Sequence, residues 1–463
     1  MSAEILSILA LIVMFVIATF FPVNLGALAL VGAFLVGTLA AGMSTDDILG
    51  AFPGSLFVIL VGVTFLFAIA TNNGTVDWLV RAAVHLVRGR IAAIPLVVFV
   101  ISALLTAVGA PAPAVAAILA PIAFGFAAEY RIHALLIGLM VAHGTQAGAF
   151  SPISVLGGIV NGVVADAKLP SDNVVLFLSS FAFNAAAAVA VFFVFGGRDL
   201  VRRGAVGPAP AGDGGGGSGP AEALTPSGSG TGTASDGNSG AGGVSAKAVT
   251  TTAEPAARVG GGLRLTPHQA LTLTGIVALC LAVLVFKLDV GLTAVTVAVI
   301  LSLTSPKSNK GAVEKIAWPT VLLICGVVTY VGVLQEIGTV DYVGTSVAAI
   351  GIPLLVALLI CYVGGVVSAF ASTVGILGAL VPLAVPFLAQ GTLGPIAMIA
   401  ALSVSSAIVD VSPFSTTGAL LVANVRGMDR DVFYRRLLTY GAVIVVAGPL
   451  AAWAVLVVPG WLG

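Results

Sequence analysis

Two stretches decide how this chain folds: Gly144-Thr145-Gln146-Ala147-Gly148-Ala149-Phe150-Ser151-Pro152 and Ser405-Ser406-Ala407-Ile408-Val409-Asp410-Val411-Ser412-Pro413. Each interrupts a long apolar run, near 134–161 and 395–424. Small residues followed by Ser-Pro break a helix that is otherwise long enough to cross a bilayer. Serine is a good N-cap and proline suits the first helical position, so Ser151-Pro152 and Ser412-Pro413 are each expected to restart a half-helix. Such a restart puts free N–H groups and a positive dipole end at membrane depth, where an anion can sit without Lys or Arg. A plain proline kink is the alternative. The repetition of Ser-Pro-x-Ser, with Ser154 and Ser415 as the last members, weighs against it.

Outward from these breaks, other segments also pair between the halves. Phe21-Pro22-Val23-Asn24-Leu25-Gly26 matches Phe286-Lys287-Leu288-Asp289-Val290-Gly291, and Phe52-Pro53 matches Trp318-Pro319. Gly74-Thr75-Val76-Asp77-Trp78 matches Gly338-Thr339-Val340-Asp341-Tyr342. Ser102-Ala103 with Val108-Gly109 matches Ser368-Ala369 with Val374-Gly375. The offset stays within 261–266 residues throughout, as an internal duplication requires.

The composition agrees with membrane spans. The 463 residues include 19 basic and 19 acidic side chains, and 59% are hydrophobic. Mean hydropathy is +1.15. A water-soluble fold needs a polar skin that this composition cannot supply, which excludes a soluble enzyme, a nucleic-acid binder and a disordered chain. Long apolar runs in place of short alternating strands argue against an outer-membrane barrel. An all-α polytopic membrane protein remains, with spans expected near 5–21, 25–41, 53–72, 134–161, 174–195, 269–286, 290–304, 319–336, 395–424 and 438–458. The first run reads as a retained helix, since no basic residue precedes it. Stretches of about 92–127 and 352–389, broken near the middle by small residues, read as hairpins that enter and leave on one side. Cys280, Cys325 and Cys361 have no metal or disulfide spacing and read as small buried hydrophobes.

Residues 204–262 hold 18 glycines in 59 positions and read as a flexible linker. They separate a first repeat, 1–203, from a second, 263–463. Five crossings per half is an odd number, so the second repeat must be inverted. With both termini outside, the cytoplasmic face carries 17 Lys and Arg, among them those of the linker, and the exterior carries only Lys168 and Lys287. The hairpin at 92–127 then opens to the cytoplasm and that at 352–389 to the outside.

Inverted repeats with broken helices place a transport site at mid-membrane. The candidate substrate contacts are Thr106, Gln146, Ser151, Pro152, Ser372, Thr373, Ser412, Pro413 and Ser415. Hydroxyls and carbonyls near the hairpin tips and breaks, at Ser102, Gly144, Thr145 and Ser368, are candidates for holding a coupling Na+. Close helix packing is the alternative for these small residues. Asp410 is the one acidic residue placed within the hydrocarbon, and its repeat equivalent is Ala149. It is a candidate cation ligand or proton carrier, or a hydrogen-bonded structural carboxyl. His143 reads as a proton relay, a substrate contact or packing, and Asn184 as interhelical glue. Segment 76–90 reads as an interfacial amphipathic helix.

Inverted five-helix halves, each with one re-entrant hairpin and one broken helix, resemble the ion-transporter superfamily. Within it the chain is similar to the divalent-anion:sodium symporters, with residues from about Ile5 to Asp166 nearest to MatC-type dicarboxylate carriers. The resemblance implies a homodimer in the inner or plasma membrane whose hairpins and broken helices move as an elevator against a scaffold. Such symporters carry Ser-Asn-Thr at each tip; here the tips read Thr106-Ala107-Val108 and Ser372-Thr373-Val374, without the asparagine. The resulting expectation is a secondary transporter of small dicarboxylates, of the malonate, malate or succinate class. Na+ or H+ would couple transport, with no cofactor beyond a coupling Na+ and no nucleic acid partner. A cation/proton antiporter or oxyanion exporter on the same fold is the alternative. An enzyme is not expected: His143 and Ser151 are poorly aligned, and neither a nucleophile elbow nor H-E-x-x-H occurs.

Overall fold

The computed structural model describes residues 2–21, 23–76, 78, 79, 82, 90–203, 264–306, 309–340, 342–343, 352–370, 373–389 and 393–462. The linker and most of segment 76–90 lie outside them. Among the described residues the structure is helical, with no strand. In the first half α1 is Ala3–Phe20, α2 Leu25–Leu35, α3 Thr45–Gly50, α4 Gly54–Asn72 and α5 Ala93–Ala107. They are followed by α6 Ala112–Glu129, α7 Ala134–Gly148, α8 Val155–Asp166, α9 Asn173–Val194 and the short α10 Gly197–Arg203. The second half holds α11 Pro267–Leu284, α12 Val290–Thr304, α13 Trp318–Glu336 and α14 Pro353–Phe370. It continues with α15 Thr373–Ala389, α16 Pro395–Ile408, α17 Thr416–Asn424 and α18 Arg430–Ala452.

Several helices start where the sequence supplies a cap. The Asn24 side chain accepts from the Gly26 and Ala27 N–H groups and donates to the Pro319 carbonyl at 2.9 Å, which ties the start of α2 to that of α13. Asp289 caps α12 through the Leu292 N–H at 2.7 Å. Thr266 and Gln269 form a capping box on α11.

The two halves interlock through glycines. α2 crosses α13 and α4 crosses α12. A Cβ on Gly26 would lie 2.0 Å from the Leu322 carbonyl oxygen, and one on Gly326 would lie 2.0 Å from that of Gly26. At the other crossing a Cβ on Gly62 would lie 2.6 Å from the Gly291 carbonyl oxygen. Without side chains the backbones reach near-contact, which is how helices associate when lipid supplies no hydrophobic drive between them.

Around this frame α5 and α9 pack on α7, and α14 and α18 pack on α16. All fifteen residues of α7 are buried, as is α16 from Ala397 to Ile408. These two apolar helices are surrounded by protein. The outer helices instead expose large apolar side chains, such as Leu303 at 75% and Val194 at 73%. That surface suits hydrocarbon and not water. Among the described residues six helices are long and apolar enough to cross a membrane: α4, α6, α9, α13, α14 and α18 with its extension to Val457. The chain is a multi-pass membrane protein.

Candidate functional site

The first hairpin runs through α5, a turn at 108–111 and α6. Gly109 lies at its tip with φ of 111°, and a Cβ there would sit 2.2 Å from a Val63 methyl. Only glycine fits that turn against α4. The flank of this hairpin rests on α7, because Gly144 and Gly148 let the backbone of α5 approach.

Both helix breaks fall where the sequence places them, after Gly148 and after Ile408, but their caps differ from the expected ones. Ser151 and Ser412 do not cap the restarted helices, and Pro152 and Pro413 do not begin them. The caps are Ser154 and Ser415, three residues later. Each accepts from the glycine N–H three positions on, Gly157 at 3.2 Å and Gly418 at 3.1 Å. Each also donates back into the break, Ser154 to the Ala149 and Ser151 carbonyls and Ser415 to those of Asp410 and Ser412. The physical reason is that a broken helix strands carbonyls on its first half, and a cap three residues past the Ser-Pro can satisfy these and the new N-terminus together. Ser151 and Ser412 instead accept weakly from Ile153 N–H at 3.4 Å and Phe414 N–H at 3.3 Å. Pro152 is half-buried and Pro413 buried within the same turns.

The two breaks meet through Asp410, which is 7% exposed. Its Oδ2 accepts from Gln146 Nε2 of α7 at 2.6 Å and from the Thr417 hydroxyl of α17 at 2.7 Å. The Gln146 backbone carbonyl accepts from the Ser180 hydroxyl of α9 at 2.9 Å. The Gln146 Oε1 is buried without a partner. One turn back along α7, His143 is fully buried with both ring nitrogens engaged, Nδ1 with Asn184 Oδ1 at 2.9 Å and Nε2 with the Tyr440 hydroxyl at 2.6 Å. The Asn184 amide donates to the Ser180 carbonyl at 3.0 Å. Its oxygen therefore faces the histidine, and His143 donates from Nδ1 and accepts at Nε2 from Tyr440. Hydrogen bonds thus link Tyr440, His143, Asn184 and Ser180 to the Gln146 backbone, while the Gln146 side chain separately bonds Asp410.

Among the described residues the remaining candidates make no hydrogen bond to Asp410 or the Gln146 amide. The hydroxyls of Ser102, Thr106 and Thr145 donate to their own helices, at Val98, Ser102 and Ala142 carbonyls respectively. Ser368 joins Thr373 at 2.8 Å and donates to the Ser406 carbonyl at 2.6 Å, which ties the second hairpin to α16. Ser372 lies outside the described residues. Among the described residues no three His, Cys, Asp or Glu come together as a metal site. Sequence reasoning missed Thr417, Ser180 and Tyr440. Thr417 carried a usable signal, since it lies one helical turn past the second Ser-Pro.

A separate cleft of about 880 Å³ opens between α3, α4 and α13 on one side and the ends of α8 and α15 on the other. Asp46, Asp47 and Glu336 line it. The Ser44 hydroxyl and then the Ser44 backbone N–H hold the Asp47 carboxyl below its ordinary pKa.

The class this architecture defines is a polytopic helical membrane protein. The fold is similar to that in the crystal structure of the Alcanivorax borkumensis YdaH transporter, described as having an unusual topology. The TM-score is 0.55 at 13% identity, covering 88% of this chain and 86% of that one. Residues 1–149 match the family model of the dicarboxylate carrier protein MatC N-terminus. No curated protein sequence matches the chain. The resemblance to MatC-type dicarboxylate carriers expected from the sequence is thus borne out over residues 1–149.

Proposed function

We propose that this protein is a secondary active transporter of small dicarboxylates, of the malonate, malate or succinate class, coupled to Na+ or H+. The observation that carries the reading is the meeting of two duplicated helix breaks at one buried polar centre, in a chain whose first 149 residues match a dicarboxylate carrier model. Substrate carboxylates would be held by the hairpin tips and the two half-helix N-termini, at Ser151–Ser154 and Ser412–Ser415, while Asp410 carries the cation. Reciprocal packing supports the inverted repeat: α2 on α13 mirrors α12 on α4, and α6 on α17 mirrors α15 on α8. An elevator movement of hairpins and broken helices against the glycine-locked frame, in a homodimer with linker 204–262 in the cytoplasm, completes the proposal.

Labelled malonate, malate and succinate are to be offered to proteoliposomes under Na+ and pH gradients. Gradient-driven accumulation of at least one is expected. Folded protein that accumulates none of them refutes the substrate class. A cation/proton antiporter or oxyanion exporter is the second reading, favoured by the absence of any basic residue among the hydrogen-bond partners of Asp410. Asp410→Asn separates the two, since an antiporter loses all exchange while a symporter keeps weak substrate transport.

A further inference from the structure

The frame is duplicated but the polar centre is not. At the matching positions of the other half, Ala149 stands for Asp410, Ala407 for Gln146, Val404 for His143 and Leu156 for Thr417. The two halves therefore build one centre between them, from Gln146 on one side and Asp410 on the other.

A buried carboxylate needs compensation. Asp410 receives two donors on one oxygen and no cationic side chain. The titratable groups on the helices around it are few. His143 on α7 has both nitrogens spent on Asn184 and Tyr440. α18 contributes Tyr440 and Tyr434, and Cys361 of α14 lies behind α16. The charged residues of these helices, Glu129 of α6 and Arg430, Asp431, Arg435 and Arg436 of α18, are exposed at their ends, as is the α9 cap Asp172.

The Gln146 amide can meet Asp410 with either end, since the two ends are alike in size. With Asp410 ionised, the amide N–H2 donates to it and the carbonyl oxygen is left over, as the structure has it. With Asp410 protonated, its O–H donates to the carbonyl and the N–H2 is left over. One polar atom of Gln146 is unpaired either way, an acceptor in the first state and a donor in the second. A carboxylate oxygen binds a donor and is repelled by an acceptor.

We propose that the coupling ion is a proton on Asp410, and that a half-turn of the Gln146 amide converts its arrival into a donor for a substrate carboxylate. This rests on the dicarboxylate reading above. By linkage, a proton then raises dicarboxylate affinity by the factor by which the dicarboxylate raises proton affinity.

The test is calorimetric titration of the purified full-length chain with succinate and malonate in Na+-free buffers of different ionisation heat, across a pH series. Binding is expected to take up protons, approaching about one per bound anion at the best pH. Uptake should vanish in Asp410→Asn. It should also vanish in Gln146→Leu, with affinity reduced about tenfold or more, as for a lost hydrogen bond to a charged group. Wild-type binding without proton uptake at any pH overturns the proposal and leaves the transporter reading intact, as does Asp410→Asn taking up as many protons as wild type. If Asp410→Asn does not fold, the wild-type and Gln146→Leu titrations decide. A chain that neither binds nor transports any dicarboxylate removes the underlying reading, and this proposal with it.

Discussion

The interlock of α7 with the first hairpin makes Gly148→Ala the most informative small perturbation. A Cβ at Gly148 would lie 2.0 Å from the Ala103 carbonyl oxygen, 2.2 Å from the Thr106 hydroxyl and 2.7 Å from the Ala107 nitrogen. Two of those atoms are backbone and cannot rotate away, so the hairpin must retreat by more than about 1 Å to restore ordinary contact. Overpacking of this kind costs about 1–3 kcal/mol. Replacing glycine by alanine in a helix returns about 1 kcal/mol, so the net loss is expected to reach about 2 kcal/mol. The functional effect is larger, because a shift of about 1 Å in a positioned site lowers rates on the order of a hundredfold. Gly125→Ala on α6 is the control: nothing lies within 4 Å of its Cβ position, so only the helix-propensity gain applies. Thermal unfolding in detergent and dicarboxylate counterflow in proteoliposomes read the two effects. The interlock argument fails if Gly148→Ala unfolds and transports like Gly125→Ala.

Three further outcomes are expected. Ser154→Ala and Ser415→Ala each remove a helix cap and a hydroxyl proton shared between two carbonyls of a break, and each should lower stability by about 1–2 kcal/mol; equal thermal stability to wild type would contradict these caps. Tyr440→Phe leaves the buried His143 Nε2 without its donor and should cost about 1–3 kcal/mol in the same assay, whereas Tyr434→Phe, which has no such bond to lose, should cost less. The folded-state pKa of Asp47 is lowered by the Ser44 hydroxyl and N–H, so its contribution to α3 is complete above the ordinary aspartate value and is lost as pH falls through the lower folded value. Protection factors over residues 45–50, corrected for the intrinsic exchange rate at each pH, should fall on acidification below about pH 4, and Asp47→Asn should abolish that acid dependence.

Much of the architecture was legible because it depends on local or linear properties. The expected span near 134–161 appears as α7 and α8, that near 395–424 as α16 and α17, and the stretches 92–127 and 352–389 each as a pair of helices. Apolar run length and Gly or Pro breaks are enough for that. Ser-Pro alone points to caps three residues early, because it signals only where a helix starts. The stranded carbonyls of the preceding half-helix also need donors, and only Ser154 and Ser415 serve both. Asp410 was marked by its charge at depth and Gln146 by its position on the break, but their pairing across 264 residues was not visible.

The sequence by itself determined the class, the helices and the breaks, since hydropathy and periodicity act along the chain. Tertiary structure alone decided which polar groups share a site. It placed Ser102, Thr106 and Thr145 back onto their own helices and joined Gln146, Asp410 and Thr417 into one centre. The reason is physical: a hydroxyl can be satisfied by its own helix one turn away, whereas a buried carboxylate must draw donors from whatever other segments the fold brings beside it.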